Sequence, residues 1–482
     1  MSPSSRRAFL SDSFFLAALT AAAVATPTQV MARTSKGKPS ADKLRIGVIG
    51  LNGRGKAHVD GYVSNPNAEV VAICDIDLRT AEKAAAAVAT KTGKKPKVYQ
   101  DLRKLYEDKD IDAVSAALPI HWHSLAGIWA MQAGKDAYIE KPVSHNVSEG
   151  RRLSEAMVRY NKICQTGTQS RSHKAIKDAI AYIHSGKIGK VEVSRGLCYK
   201  PRKSIGMIAD AVAPAEVDYD IWLGPAPKRA YNSNRYLYNW HWHWDYGAGD
   251  LGNQGIHQMD IARWALGKST LPSKVHSVGG RFGYSDQGET PNTVVTTFEY
   301  GDQTLVFEVR GLDTPEYTGV SIGNIVYGSE GYVVFSSNYA VALAFDKAGN
   351  QVQKFSGGGD HFGNFVKAVR NRDTAALSAP IVEGHLSSAL CHLGNISYRL
   401  GEPAVPAKEL TGLLASNKHG AEAVVRYREH LKANNVDTAN AMGRLGRVIT
   451  IDPKKESITG DVEAASMLTR PYRTGFAVPS KI

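Results

Sequence analysis

The chain has 482 residues, enough for more than one domain and for large cores that need no staples. Its 43 % hydrophobic and 22 % charged residues exclude a disordered or fibrous protein. The net charge of +13 is spread along the sequence without a basic run interleaved with aromatics, so nucleic acid is not an expected partner. The excess reads as a solvated surface or, more weakly, as an attraction for acidic substrates such as uronic or sulfated sugars.

Ser4-Ser5-Arg6-Arg7-Ala8-Phe9-Leu10 has the form of a twin-arginine export signal. The apolar run that follows, residues 14–25, is too short for a membrane helix. Val30-Met31-Ala32 offers a cleavage site, and retention as an uncleaved anchor is the alternative. The expectation is an exported, periplasmic protein that uses the twin-arginine export machinery. Residues 1–32 form the signal and residues 33–42 a polar linker. Export opens a disulfide-permissive compartment. Cys74, Cys164, Cys198 and Cys391 nevertheless show no metal-type spacing and read as buried thiols.

From residue 43 to 166, strand and helix alternate. Strands are predicted over 44–49, 70–74, 112–118 and 137–140. Helices are predicted from about Gly53, over 81–89, over 125–133, and over 148–159 with Ser148 as the opening residue. Such units predict a doubly wound parallel sheet, a Rossmann domain. Residues 167–402 change rhythm. A helix over 174–184 and a strand over 191–199 precede alternating runs at 274–282, 293–300, 304–310, 320–327, 332–335 and 341–345. Helices return at 361–370 and 383–400. The fold class is α/β, with the Rossmann sheet followed by an α+β domain built on a large, open, mostly antiparallel sheet. Residues 403–482 read as a C-terminal extension.

A dinucleotide turn needs glycines so that the backbone approaches a pyrophosphate at a helix N-terminus. Gly50, Asn52, Gly53, Arg54 and Gly55 follow the first strand, and Asp75 ends the second, where a carboxylate binds ribose hydroxyls. A flavodoxin-like domain without nucleotide is the alternative. Asp75 favours NAD, since a carboxylate repels a 2′-phosphate, while Arg54 and Arg79 leave NADP open. An exported protein meets little free cofactor, so the nicotinamide is expected to be acquired before export and held tightly.

Four further segments complete a recognisable set: Pro119-Ile120-His121-Trp122-His123, Glu140-Lys141-Pro142, the run Gly249-Asp250-Leu251-Gly252-Asn253-Gln254-Gly255-Ile256-His257, and Gly328-Ser329-Glu330-Gly331. With them the chain resembles the Gfo/Idh/MocA family of glucose–fructose oxidoreductases and inositol dehydrogenases. The resemblance implies a second domain whose sheet faces the cofactor and often mediates oligomers, here a homodimer or homotetramer. It also implies catalytic roles for Lys141 and His257. Two positions depart from the pattern. Asn52 replaces a usual glycine, and Asn253 stands where many members have an aspartate. An amide cannot exchange a proton as a carboxylate does. Asp250 is the nearby acid available to substitute for it.

Oxidising a sugar hydroxyl needs a hydride acceptor, a base and a cation for the developing alkoxide. His257 is the candidate base and Lys141 the cation. Pro119, His121, His123 and Glu140 are candidates to line the nicotinamide pocket. The segment Trp240-His241-Trp242-His243, if extended, puts tryptophans on one face and histidines on the other. It reads as a saccharide subsite or as a buried aromatic brace. A metal there is not expected. Gln169, Arg171, Lys200 and Arg202 are candidates to meet substrate oxygens. Three functions follow: an NAD(P)-dependent sugar oxidoreductase, a redox-neutral NAD-dependent glycosidase or lyase, and a non-catalytic sugar-binding protein.

Overall fold

The computed structural model describes residues 42–410, 414 and 417–482. The twin-arginine segment and its cleavage site lie outside the described residues. The first domain takes β1 (Leu44–Ile49), α1 (Arg54–Val63), β2 (Ala68–Cys74), α2 (Leu78–Thr92), β3 (Lys97–Tyr99), α3 (Leu102–Glu107), β4 (Ala113–Ala116), α4 (Ile120–Gln132), β5 (Asp136–Ile139), α5 (Val147–Arg159) and β6 (Cys164–Thr166) in turn. The six strands are parallel in the order β3-β2-β1-β4-β5-β6. The order reverses between β1 and β4, the crevice where open parallel sheets take ligands.

Of the boundaries that differ from expectation, two have local causes that can be named. Helix α4 starts five residues early, at Ile120, because Pro119 pre-sets the entry dihedral and the carbonyl of Pro119 accepts from Trp122 N. Helix α5 is capped by Asn146, not Ser148: the Asn146 side chain accepts from Glu149 N at 2.9 Å. Helix α4 is buried nearly all round, so its sequence lacks an amphipathic stripe to mark its start.

The second domain contains α6 (Lys174–His184), β7 (Val191–Tyr199), α7 (Tyr219–Leu223), α8 (Gly249–Gly252), α9 (Gly255–Ala265), β8 (Lys274–Gly280), β9 (Thr293–Tyr300), β10 (Gln303–Arg310), β11 (Ile322–Gly328), β12 (Gly331–Phe335), β13 (Val341–Asp346), β14 (Gln351–Ser356), α10 (His361–Asn371) and α11 (Ile381–Arg399). Chain order then adds β15 (Glu402–Pro406), α12 (Lys418–Ala433), β16 (Met442–Leu445), β17 (Ile449–Asp452), β18 (Ser457–Ile458) and α13 (Val462–Ser466). The 12-stranded sheet runs β14-β13-β12-β11-β7-β10-β9-β8-β16-β15, with β17 also on β8. Only β7 and β10 pair in parallel. Helices α9 and α11 cover its inner face through Met259, Leu390 and Leu393 against Phe298 and Phe307.

Residues beyond 402 join both domains. Strands β16 and β17 extend the sheet at β8. Helix α12 lies on the outer face, where Val424, Tyr427 and Leu431 meet Val193, Val295 and Val306. Beside this apolar contact, Arg195, Arg310 and Arg426 surround the buried carboxylate of Glu308. The outer face is therefore partly closed by the chain itself, leaving a strip with Tyr327, Tyr332 and Phe345. The last residues turn back to the Rossmann domain, where Phe476 packs edge-on to Trp122 with ring centroids 5.6 Å apart. All four cysteines are buried and free. Among the described residues no helix is long and apolar enough to cross a membrane.

Candidate active site

A cleft of about 650 Å³ opens at the C-terminal ends of β1, β2, β4 and β5. At one end lies the glycine turn. Gly50 takes φ +81°, and a Cβ there would sit 2.4 Å from the Ala117 carbonyl oxygen. Gly55 lets α1 pass against the turn, since its Cβ would lie 1.7 Å from the Gly50 oxygen. Gly53, at φ +94°, faces open space. The first turn of α1, which begins at the cleft wall, has no side-chain cap and no acidic residue to compete with a bound anion. Asp75 is buried, its Oδ2 accepting from Leu51 N at 2.7 Å and its Oδ1 from Asp77 N at 3.0 Å. Burial pushes its carboxyl above the ordinary value. Each oxygen keeps a lone pair for a ribose hydroxyl. These residues fit a dinucleotide: Gly50 to Gly55 for the pyrophosphate and Asp75 for the ribose.

At the other end stands Lys141. It is buried, and its Nζ donates to the Asn253 carbonyl at 2.9 Å. Burial lowers its proton affinity, Glu140 pulls it back up, and Arg54 and Lys200 push it down again. Glu140 is bound to Arg54 at 2.9 Å and to His58 at 3.1 Å. Burial opposes its charge, but these partners hold its carboxyl well below the usual range. His257 shares the cleft with Lys141, and its Nδ1 has no partner. Burial first, then the Lys141 charge, push the imidazole down to about 3, so it is neutral at working pH.

Of the sequence candidates, Gly50, Asn52, Gly53, Arg54, Asp75, Pro119, Glu140, Lys141, Gln169, Trp240, His241, Asn253 and His257 line this cleft. Others are placed differently. Arg171 is buried on Asp260 and Glu383 and stacked on Trp264, 4.6 Å from the ring centre, so it braces helices and meets no substrate. His121 Nε2 donates to the Trp222 carbonyl at 2.9 Å, and His123 Nδ1 donates to the Pro142 carbonyl. Both imidazoles are pushed down by burial, to about 3 and about 4, and both hold the wall from behind. His243 is buried against the Asn234 carbonyl. Asp250 is clamped by Arg202 through two bonds of 2.6 and 2.8 Å, which leaves it no role as a free proton acceptor. Lys200 reaches Gln254 at 3.3 Å.

The tryptophan–histidine segment is not extended. Asn239–Trp242 is a single 3₁₀ turn, which puts Trp240 and His241 side by side with their rings stacked 3.6 Å apart. Both face the cleft, while Trp242 turns inward beneath Arg202. Local 3₁₀ bonding overrides the alternation expected of a strand. Among the described residues no cluster of three or more metal-type ligands exists.

Several wall residues escape sequence reading: Gln100, Ile221, Trp222, Tyr236, Leu237 and Tyr238. Gln100 follows β3, and the others belong to a cap whose edge pairs with the end of β2. Asp218 N donates to the Ile76 carbonyl, and Leu78 N to the Glu216 carbonyl. The C-terminal segment clamps this cap. Arg473 binds the Asp220 carbonyl, and Arg470 binds the Asp245 carbonyl and His145.

Comparison with known proteins agrees with this geometry. The family described as "Oxidoreductase family, NAD-binding Rossmann fold" matches residues 44–168, and "Oxidoreductase family, C-terminal alpha/beta domain" matches residues 174–425. A glycosyl hydrolase family 109 protein of Shewanella pealeana is 32 % identical over 130 residues, and one of Shewanella sp. strain W3-18-1 is 34 % identical over the same length. Each match covers 26 % of this chain and only 28 % of the relative's length. The fold is similar to that of a putative NADPH-dependent oxidoreductase from Desulfitobacterium hafniense, at 15 % identity and TM-score 0.57, covering 73 % of this chain and 94 % of that one. It is also similar to that of the WlbA dehydrogenase from Bordetella pertussis, solved with NADH and UDP-GlcNAcA, at 18 % identity and TM-score 0.54, covering 73 % and 97 %. Glycine turn, buried lysine, two-domain cleft and family matches lead to one conclusion: the chain belongs to the Gfo/Idh/MocA oxidoreductase family, with an NAD-binding Rossmann fold.

Proposed function

We propose that this protein is an NAD-dependent oxidoreductase that oxidises a hydroxyl of a sugar or sugar derivative, taking hydride from the carbon and a proton from the oxygen. Bound at the Gly50–Gly55 turn, NAD supplies the hydride acceptor. The observation that carries the reading is the placement of Lys141: a buried amine in the same cleft as the turn, bonded through Asn253 and facing His257. Burial moves the amine toward neutrality, so Lys141 takes the hydroxyl proton. His257, expected from the sequence to be the base with Lys141 as the cation, is pushed down to about 3 by burial and the Lys141 charge, so the roles change: it stays neutral, hydrogen-bonds the substrate oxygen and orients it. Trp240 and His241 supply a flat face for the sugar ring. Asn253 positions Lys141 and does not relay protons.

The cap and its C-terminal clamp support a tightly held cofactor. Asp75 supports NAD over NADP. The twin-arginine form of residues 4–10 supports export to the periplasm with the cofactor already bound. The outer strip of the sheet that α12 leaves open is the surface we assign to a homodimer or homotetramer. A second reading, redox-neutral glycoside hydrolysis through transient ring oxidation, draws on the Shewanella relatives' name.

The test begins with denaturing the purified protein and identifying released nucleotide by mass spectrometry. Stoichiometric NAD supports the reading. A protein that is empty and binds neither NAD nor NADP overturns it. Aryl glycosides then separate the two readings: aglycone release without net reduction favours hydrolysis, and a keto-sugar favours oxidation. Loss of turnover in Lys141→Ala is expected in either case, and unchanged turnover would remove this lysine from the mechanism.

A further inference from the structure

Tyr238 was not legible as a functional residue, yet it stands on the wall of the cleft. Its side chain lines the wall beside Asn253 and His257. Its hydroxyl oxygen accepts from Arg202 Nη1 at 3.1 Å and from Asn253 Nδ2 at 3.2 Å. A tyrosine hydroxyl has two acceptor sites and one donor hydrogen. With both acceptor sites filled, the oxygen has only donation left.

Two further features fix the group. Asn253 holds Lys141 through its carbonyl and Tyr238 through its amide, so both polar tips hang from one residue. Arg202 is itself fixed by its two bonds to Asp250 and by its stack on Trp242. The residue before Tyr238, Leu237, takes φ +54°, a backbone state that bulky side chains rarely adopt. Such strain persists where surrounding contacts over-determine it, and it gathers at functional sites.

We propose that Tyr238 is a catalytic residue: its O–H donates a hydrogen bond to the substrate oxygen that gives up its proton to Lys141. The proposal rests on the oxidoreductase reading above. In the step, the substrate C–H electron pair leaves as hydride to NAD, the O–H proton passes to Lys141 Nζ, and the C–O bond gains its second bond. No proton leaves Tyr238. Its hydrogen bond strengthens as negative charge gathers on the oxygen, which makes it an oxyanion donor supplied by a side chain. It also explains what Asn253 does in place of a carboxylate: an amide donates to the phenol oxygen, and a carboxylate could not.

The experiment compares the holoenzyme with Tyr238→Phe and Lys141→Ala, on D-glucose, methyl β-D-glucopyranoside and D-glucuronate. Reduced nicotinamide is followed by its near-ultraviolet absorbance in single turnovers. Tyr238 is half-exposed, so phenylalanine fits without a buried void, and an unchanged unfolding temperature confirms that the fold is kept. The expected result is a fall in kcat of about 10²–10³-fold with KM changed only a few-fold, and an unmoved lower limb of the pH profile, which belongs to Lys141. A kcat within about threefold of the parent, or a loss confined to KM, overturns the proposal while leaving the oxidoreductase reading intact. A parent that reduces its nicotinamide with none of the three sugars sinks both together.

Discussion

Replacing Asn253 by the aspartate common in the family should harm this protein. The Asn253 amide lies 3.4 Å from Asp250 Oδ1, in a site where Asp250 is 2 % exposed. A carboxylate there would face a second carboxylate at that distance. At an effective dielectric of about 20, two unit charges so placed repel by about 5 kcal/mol. Arg202, already bidentate on Asp250, offsets about half, leaving a penalty of about 2–3 kcal/mol, or about two pH units on the introduced carboxyl. The sign follows from linkage. The introduced acid has a folded-state pKa above its unfolded value, so the folded state binds the extra proton more tightly. The penalty is absent below about pH 4, grows between about pH 4 and 6, and is full above that. Urea unfolding of Asn253→Asp and the parent across this range measures it directly. The double change Asn253→Asp with Asp250→Asn removes one charge and should recover most of the loss. Equal stability of the single variant and the parent at about pH 8 would refute the reasoning, and would mean that Lys141, whose Nζ meets the Asn253 carbonyl, neutralises the second charge.

Four other outcomes are expected. Glu456, pinned by His385 and Arg151, is held near 2 from an ordinary 4.5 although burial opposes its charge. Glu456→Gln should cost about 3 kcal/mol at neutral pH, an advantage that the parent keeps above the ordinary carboxylate value and loses as pH falls toward 2; parallel denaturation curves at neutral and acidic pH read it. Gly55→Ala drives a methyl group into the Gly50 carbonyl and should destabilise by about 1–3 kcal/mol and abolish NAD retention; intact retention would contradict the turn geometry. The rate of sugar oxidation should rise with pH through the Lys141 transition, at a value below that of a free lysine, because the neutral amine is the acceptor; a pH-independent rate would exclude the amine as base. Phe476→Ala empties a contact shared by Trp122 and Trp129 and should loosen the C-terminal clamp by about 3 kcal/mol, seen as faster NAD loss on gel filtration; undiminished retention would detach the clamp from cofactor binding.

Most strands were legible because buried parallel strands are short apolar runs, and β7 and β9 begin and end where alternation places them, whereas β3 and β14 are too exposed to show such a run and the strands beyond 402 were missed. The glycine turn, Asp75, Lys141 and His257 were legible because each lies in a local motif. What was hidden depends on partners far off in sequence. Arg171 looks like a substrate arginine until Asp260 and Glu383, 89 and 212 positions away, close on it. Tyr238 looks like any tyrosine until Arg202 and Asn253 fill its oxygen. The tryptophan–histidine run carries both periodicities, and only the 3₁₀ turn decides which rings share a face. Helix α12 was missed although Asn417 caps it, because its buried stripe is matched to a sheet face that the sequence does not display.

The clamp made by Arg470, Arg473 and Phe476 also sets a timetable. Among the residues that build the cleft and its cap, these leave the ribosome last, more than 200 positions after the cap segment that they fasten. Until they emerge, the glycine turn and Asp75 are already made while the cap lacks these contacts. Fastening of the cap is thus one of the last events in the making of the chain, and the wall of the cleft is completed from the far end of the sequence.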